Sequence, residues 1–374
     1  ILPIAPMSFP FSFVVGKIIN LLIYLGLAVP ISKVCKEFEP IWEYPKTEMN
    51  NVFGKIESWH SEYHRFVDAD NIIPQYSLAY KQVVSNYYTH RLSVILIIAE
   101  FIRSFGGKNT RVVGLSPDLK QALQIYLQNK EFFRAETTSI FKTFINFVTT
   151  ILVSTYTIIW TISKIRLADK EPVRLGFIGI IGDIADINLF KDLSREISIK
   201  VIYRSRSEEK SLSSQGGRDF EKCYLREGYF SFSEAFLQIP KLLQELIKIF
   251  YFSCRNEPAL FQKAISLPLR KLVFRSFFNR YRPRVFWGRD PYNVEHILRH
   301  GELNRIGSES WAPLHGYPTW TRIYSMYRYI SFDKLFTISR HFYQKDYIDT
   351  WNKEIQVIDS TTFRASRDVF SGRR

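Results

Sequence analysis

The chain has 374 residues, 46% of them hydrophobic, and its mean hydropathy of −0.11 excludes a polytopic transporter. The formal net charge of +15 at pH 7 predicts an anionic partner, which would be nucleic acid, anionic lipid or a phosphorylated substrate. Cys35, Cys223 and Cys254 lack the spacing of a metal site, which indicates a reducing compartment.

Residues 1–110 are predicted to form an apolar N-terminal segment followed by a helical region. The apolar stretch from Phe9 to Val34 has neither the basic start nor the small-residue cleavage site of a signal peptide. The first α/β unit follows it. Arg111 to Leu115 is a short β-branched run, and Ser116-Pro117-Asp118 combines an N-cap, a first-turn proline and an acid, as helix starts do.

Two apolar helices are predicted within helical insertions at 131–170 and 233–284. The first, Ile145 to Ile162, carries no charge and has basic flanks. Three interpretations stay open for it: a helix in the membrane interface or a hairpin dipping into it, which the flanks favour, a buried core helix, or a membrane span. The second helix runs from Ser233 to Ser253.

Short apolar runs separated by helical stretches predict a parallel, doubly wound sheet from Val173 onward. The predicted strands are Val173 to Ile181, Ile197 to Tyr203, Val285 to Trp287, Ser310 to Leu314, Lys334 to Ile338 and Glu354 to Ile358. The predicted helices between them include Asn293 to Asn304 and Arg340 to Asn352. The fold class is therefore α/β, with a Rossmann-like parallel sheet over 111–360. We expect 361–374 to begin a linker or a truncated second domain.

Two patterns suggest ligands and have simpler explanations. The glycines from Gly176 to Gly182 do not have the G-x-G-x-x-G spacing, so close packing or a strand-to-helix turn is favoured, although Gly182 and Asp183 remain candidates at the carboxyl edge of the sheet. The pairs His60/His64 and His296/His300 have helical spacing, but solvated helix faces explain them better than a metal does. We predict neither a metal nor another cofactor.

The segment from Lys263 to Arg284 holds seven basic residues, no acid, and interleaved aromatic residues. Such stretches bind single-stranded nucleic acid or anionic membrane surfaces. Because no nucleic-acid motif accompanies it and two apolar helices lie nearby, an anionic membrane surface is the favoured partner, and no nucleic acid is predicted.

The strongest constellation begins at the end of the predicted strand Val285 to Trp287. Asp290 and Glu295 follow this strand, and His315 follows the next one, on a His-Gly turn. If the two strands are neighbours, the three side chains face one crevice, where a histidine can act as a general base near neutral pH. The alternative is that Asp290 and Asn293 cap the helix while His315 only packs under a loop.

Residues 173–360 resemble bacterial surface-polysaccharide glycosyltransferases with the GT-B architecture, including capsule and lipopolysaccharide transferases and CDP-glycerol glycerophosphotransferases. The match is clearest at 284–345. Leu314-His315-Gly316-Tyr317-Pro318 resembles their W-H-G-x-P element, and Phe332 to Ser339 resembles their D-x-x-x-x-x-S strand. The sequence departs from this pattern because Trp311 is not adjacent to His315. We also expect the nucleotide-binding second domain to be largely missing, so the chain would be the N-terminal, acceptor-side half of the fold.

The resemblance implies a transferase that moves a sugar from a nucleotide-activated donor to a glycan or lipid-linked acceptor, with His315 as the base and no metal. The substrate-binding candidates are Asp290, Asn293, Glu295 and Gly316, with Arg289, Arg305 and Arg322 for phosphate. We expect the protein at the cytoplasmic face of the inner membrane, peripheral or monotopic. The alternatives are a polyol-phosphate transferase of the CDP-glycerol type and a non-catalytic membrane-associated scaffold.

Overall fold

A computed structural model describes most of the chain from Arg65 to Asp359. The described residues are 65–89, 98–99, 123, 127, 140–166, 171–181, 184–203, 209–210, 220–254, 258–289, 293–313, 328–337 and 355–359. The predicted strand Arg111 to Leu115 and the predicted helix Arg340 to Asn352 lie outside them.

The described part of the chain contains both helices and strands. The helices are α1 (Arg65–Ile72), α2 (Ser77–Thr89), α3 (Ile140–Ser163), α4 (Ile184–Leu193), α5 (Phe232–Ser253), α6 (Pro258–Ile265), α7 (Leu267–Arg280) and α8 (Glu295–Arg305), with 3-10 turns at Pro74–Tyr76 and Leu225–Glu227. The strands are β1 (Ile165–Arg166), β2 (Val173–Ile181), β3 (Ile199–Tyr203), β4 (Glu221–Lys222), β5 (Phe230–Ser231), β6 (Tyr281–Trp287), β7 (Glu309–Pro313), β8 (Lys334–Thr337) and β9 (Gln356–Asp359).

Seven parallel strands form the central sheet in the order β4-β3-β2-β6-β7-β8-β9. Numbered along the chain, this order is 3-2-1-4-5-6-7, which extends the Rossmann order by one strand. The α/β, Rossmann-like prediction is therefore confirmed. The strand order reverses between β2 and β6, and in open α/β sheets ligands bind at the carboxyl edge of this switch point.

From Leu175 onward, strand β2 is buried on both faces, as its apolar sequence predicts. One face packs with α4, whose Phe190 ring lies against Phe177 with centroids 5.2 Å apart. Helices α7 and α8 cover the other face, where Ile178 shares a core with Phe278. A Cβ on Gly179 would lie 2.1 Å from the Phe190 ring, so only glycine admits this helix. The close-packing interpretation of the glycine pattern is thus confirmed at this position.

Helix α8 ends in a Schellman motif, which turns the chain into β7. The amide of Ser308 donates to the Leu303 carbonyl at 3.0 Å, and the amide of Gly307 donates to the Asn304 carbonyl at 3.1 Å. Gly307 has a φ of +73°, a left-handed conformation that costs residues with a Cβ more than glycine. This turn sets the direction in which β7 enters the sheet.

Helices α3 and α5 pack side by side in opposite directions. Phe147 near the start of α3 contacts Phe250 near the end of α5, with centroids 6.0 Å apart. Trp160 at the other end of α3 contacts Phe230, with centroids 6.2 Å apart. Helix α5 starts with an N-cap serine, because the Ser231 hydroxyl accepts a hydrogen bond from the Glu234 amide. Among the described helices, one segment, Thr143–Ser163, is long and apolar enough to cross a membrane.

Candidate functional site

A buried ion pair joins the two sides of the switch point at the carboxyl edge of the sheet. Asp186 lies in the first turn of α4, which follows β2, and Arg289 lies two residues beyond the end of β6. Arg289 Nε is 2.8 Å from Asp186 Oδ2, and Trp287 Nε1 donates a hydrogen bond of 2.9 Å to Asp186 Oδ1. Both carboxylate oxygens of Asp186 therefore bind groups from β6 and its loop.

Because this ion pair is buried, each of its two charges depends on the other for compensation. Asp186 and Arg289 are 2% and 6% exposed. A charge removed from water is costly without a partner, so each of the two compensates the other. The α4 N-terminus adds a partial positive charge that also favours a carboxylate at Asp186. Arg289, which the sequence offers as a phosphate-binding candidate, thus lies at the carboxyl edge, where it is nearly buried and Asp186 neutralises part of its charge.

Strands β6, β7 and β8 are consecutive in the sheet, so their carboxyl ends lie side by side at the edge that holds this ion pair. Trp287 is opposite Trp311 in the register of β6 and β7, and Pro313 is opposite Phe336 in that of β7 and β8. The ring of Phe336 touches both tryptophans, with centroids 5.4 Å from Trp287 and 5.7 Å from Trp311. An aromatic layer therefore supports this edge from one face of the sheet.

The structure assigns the predicted site residues to different places. Arg289, Asn293 and Glu295 lie at the carboxyl edge, where α8 begins. Asn293 is exposed, and Glu295 forms an ion pair of 2.7 Å with Arg270 of α7. Arg305 lies at the opposite end of α8, at the amino edge, where its Nε is 2.6 Å from Glu302 Oε2. Arg305 is therefore not brought together with the other candidates.

The remaining candidates lie outside the described residues. They are Asp290, His315, Gly316 and Arg322, together with Gly182, Asp183 and the pair His60/His64. By sequence, Asp290 follows the last residue of β6 by three positions, and His315 follows the last residue of β7 by two.

A serine, a histidine and an aspartate meet at the amino edge. Ser310 donates to Asp333 Oδ2 at 3.0 Å, so His300 Nδ1, at 2.7 Å, must donate its proton to the Ser310 hydroxyl. Asn304 lies 3.1 Å from His300 Nε2 and donates to it. This order puts serine between histidine and carboxylate, whereas a hydrolytic triad puts histidine in the middle. The cluster joins α8, β7 and β8 structurally.

Two predictions about surface residues are wrong because the faces concerned are buried. His296 and His300 were predicted on a solvated helix face, but they are 0% and 8% exposed, and the His296 ring stacks on Phe332 with centroids 4.8 Å apart. In the basic stretch from Lys263 to Arg284, the aromatic side chains are in the core, so this stretch does not offer the predicted aromatic surface to a membrane. These residues are Phe274, Phe277, Phe278 and Tyr281.

Sequence reasoning missed Asp186 and Trp287 as members of the edge. A signal existed for each: an acid in the first turn of a helix after a buried strand, and a tryptophan two residues before a strand-end arginine. Their pairing depends on β2 and β6 being neighbours, which the sequence does not specify. Within the described ranges, no group of three or more histidine, cysteine or carboxylate side chains is arranged to hold a metal ion.

Comparisons with known proteins leave the chain without an assigned family. No protein-family model matches it, no curated protein matches it, and no solved structure matches it.

Proposed function

We propose that the chain is a glycosyltransferase of surface-polysaccharide biosynthesis that uses the carboxyl edge of its sheet, with His315 as general base. One observation supports this most directly: β6 and β7 are adjacent and parallel, so the segments holding Asp290 and His315 follow neighbouring strand ends. The switch point next to them is the place where this sheet topology binds ligands. The sequence resemblance over 284–345 covers the same strands.

In the proposed reaction, His315 accepts the proton of an acceptor hydroxyl as its oxygen attacks the anomeric carbon of the donor. The bond from that carbon to the diphosphate oxygen breaks, and a nucleoside diphosphate leaves. Basic side chains at the edge offset the leaving charge. Arg289 is our candidate for this role in the described region, held in place by Asp186, and Arg322 is a second candidate.

The alternative polyol-phosphate transfer attacks phosphorus instead of carbon, and the two reactions release different nucleotides. Sugar transfer releases a nucleoside diphosphate, whereas transfer from CDP-glycerol releases CMP. The test incubates the intact enzyme, including the nucleotide-binding second domain that the resemblance implies, with a panel of nucleotide sugars and CDP-glycerol, together with glycan and lipid-linked acceptors. The nucleotide product is then identified by chromatography.

His315→Ala and His315→Gln should each lower the transfer rate about a hundredfold or more, while circular dichroism stays that of the wild type. The wild-type rate should rise with pH as the histidine loses its proton, and this rise should vanish in both variants. Asp192→Asn, an exposed change on α4, is the control. Unchanged transfer in His315→Ala refutes the base assignment. Absence of transfer from every donor refutes the enzyme and favours the scaffold alternative.

A further inference from the structure

Helices α3 and α5, which pack side by side, both expose large apolar side chains to solvent, and we call this apolar surface the α3–α5 face. Among the side chains of these two helices that the structure describes, eleven large apolar ones are at least half exposed. Among them are Leu152 and Ile159 on α3, and Phe236, Leu237, Ile247 and Tyr251 on α5. Together they expose on the order of 1,000 Å², whereas the largest apolar patch of an ordinary soluble monomer is about 300–600 Å². Such a face requires a partner.

The charges of α5 are sorted by sign across the helix. Its two acids turn towards the protein: Glu234 accepts a hydrogen bond from Asn279 of α7, and Glu245 accepts one from Tyr76. Its two lysines, Lys241 and Lys248, are exposed. Because they are seven residues apart, they lie on one side of the helix, beside its exposed apolar side chains. Among the described side chains of α3 and α5, the exposed charges are therefore all positive.

The end of the pair near β1 is also basic. Arg166 follows α3 and lies over the Tyr229 ring at 5.2 Å, and Arg226 lies over the Tyr224 ring at 5.3 Å. Both arginines are exposed. Apolar side chains bordered by lysine, arginine and tyrosine are the composition that lies at the boundary between lipid headgroups and acyl chains.

The packing of α3 favours a position along a membrane surface over a position across it. One side of α3 is held by the protein, where Thr157 and Thr161 are fully buried and donate hydrogen bonds to carbonyls of their own helix. Helix α3 packs along α5 and also contacts α6. Crossing a bilayer would pull it off these contacts. Its 24 residues, about 36 Å long, can instead lie in the interfacial plane beside α5.

We propose that the α3–α5 face docks on an anionic lipid bilayer. The exposed apolar side chains of both helices enter the boundary between headgroups and acyl chains. Lys241 and Lys248 contact lipid phosphates, as do Arg166 and Arg226 near β1. The proposal rests on this face alone and does not depend on the transferase chemistry. It specifies a second property of the molecule, which is to hold the protein at a membrane surface.

The test measures co-sedimentation of the full chain with phosphatidylcholine vesicles, with and without one third phosphatidylglycerol. The wild type should bind the anionic vesicles at least tenfold more tightly, and salt should weaken this binding. Phe236→Ser/Leu237→Ser/Ile247→Ser should abolish binding without unfolding the protein, because these side chains are 65–70% exposed.

Lys241→Gln/Lys248→Gln should weaken anionic binding about thirtyfold. Arg195→Gln is the matched control, since this exposed arginine follows α4 on the other face of the sheet and should bind as the wild type does. Equal binding to neutral vesicles, or no vesicle binding by the wild type, overturns the proposal. A dimer seen by light scattering without lipid and lost in the triple serine variant also overturns it, because a second copy would then be the occupant.

Discussion

Replacing Asp186 by asparagine tests whether the buried pair at the switch point holds the carboxyl edge together. The substitution keeps the shape of the side chain and keeps Oδ1 as an acceptor for Trp287. It replaces Oδ2, which faces Arg289 Nε at 2.8 Å, by an amide that also donates hydrogens. Arg289, 6% exposed, then keeps its charge without the carboxylate that compensates it.

The expected cost follows from this burial. Removing one partner of a buried ion pair destabilises proteins by about 3–5 kcal/mol, far more than the pair is worth against apolar replacements. Asp186→Asn should therefore lower the free energy of unfolding by about 3–5 kcal/mol. Arg289→Met in the same chain removes the buried charge that faced Asp186, so the double variant should be more stable than the sum of the two single effects by at least 1 kcal/mol.

Urea denaturation followed by far-ultraviolet circular dichroism measures these free energies. Asp192→Asn is the matched control, because it makes the same chemical change on the same helix. Its side chain is 74% exposed and lies 3.9 Å from an equally exposed Arg195, so its effect should stay within about 0.5 kcal/mol. An Asp186→Asn protein within 1 kcal/mol of the wild type, or additive single effects, would refute this account of the switch point.

Two further predictions concern Gly307 and Cys223. Gly307→Ala should lower the free energy of unfolding by about 1–2 kcal/mol, because Gly307 has a φ of +73°. Gly301→Ala, within α8, should raise it by about 0.5–1 kcal/mol. Neither added methyl meets an atom within 4 Å, so equal effects of the two variants in thermal unfolding would contradict the conformational explanation. Burial raises the pKa of the Cys223 thiol from 9.0 to about 12, which lowers its thiolate fraction at pH 8 about a thousandfold. In a variant that keeps Cys223 as its single cysteine, Ellman's reagent should react at least a hundredfold faster after unfolding. The folded state should also lose stability as pH rises from 9 towards 12, because the unfolded thiol loses its proton first. Rapid labelling of the folded protein would contradict the raised pKa of Cys223.

The sequence specified strands and helices with long apolar patterns and missed features that depend on distant pairing. Strand β2 has the predicted bounds, Val173–Ile181, and α5 begins one residue before its predicted start. Strand β4 has only two residues, both charged, so no pattern marks it. His300 is buried because Ser310 and Asn304 satisfy its nitrogens, and these partners come from a neighbouring strand and from the next turn of its own helix. At the candidate site, the adjacency of β6 and β7 was a condition of the prediction that the structure meets, and the Asp186 contact was not anticipated.

The switch point also determines when the protein can fold. Strand β2 pairs with β6 through residues such as Phe177 and Val285, which are 108 positions apart. At about 5–20 residues per second, a ribosome needs roughly 5–20 s to make this interval. During that time β2 can pair on one side only, with β3. Helices α3 and α5 are synthesised before β6, so their apolar face is exposed before the sheet that supports it is complete. Synthesis close to a membrane or a chaperone would protect the nascent chain from aggregation during this delay.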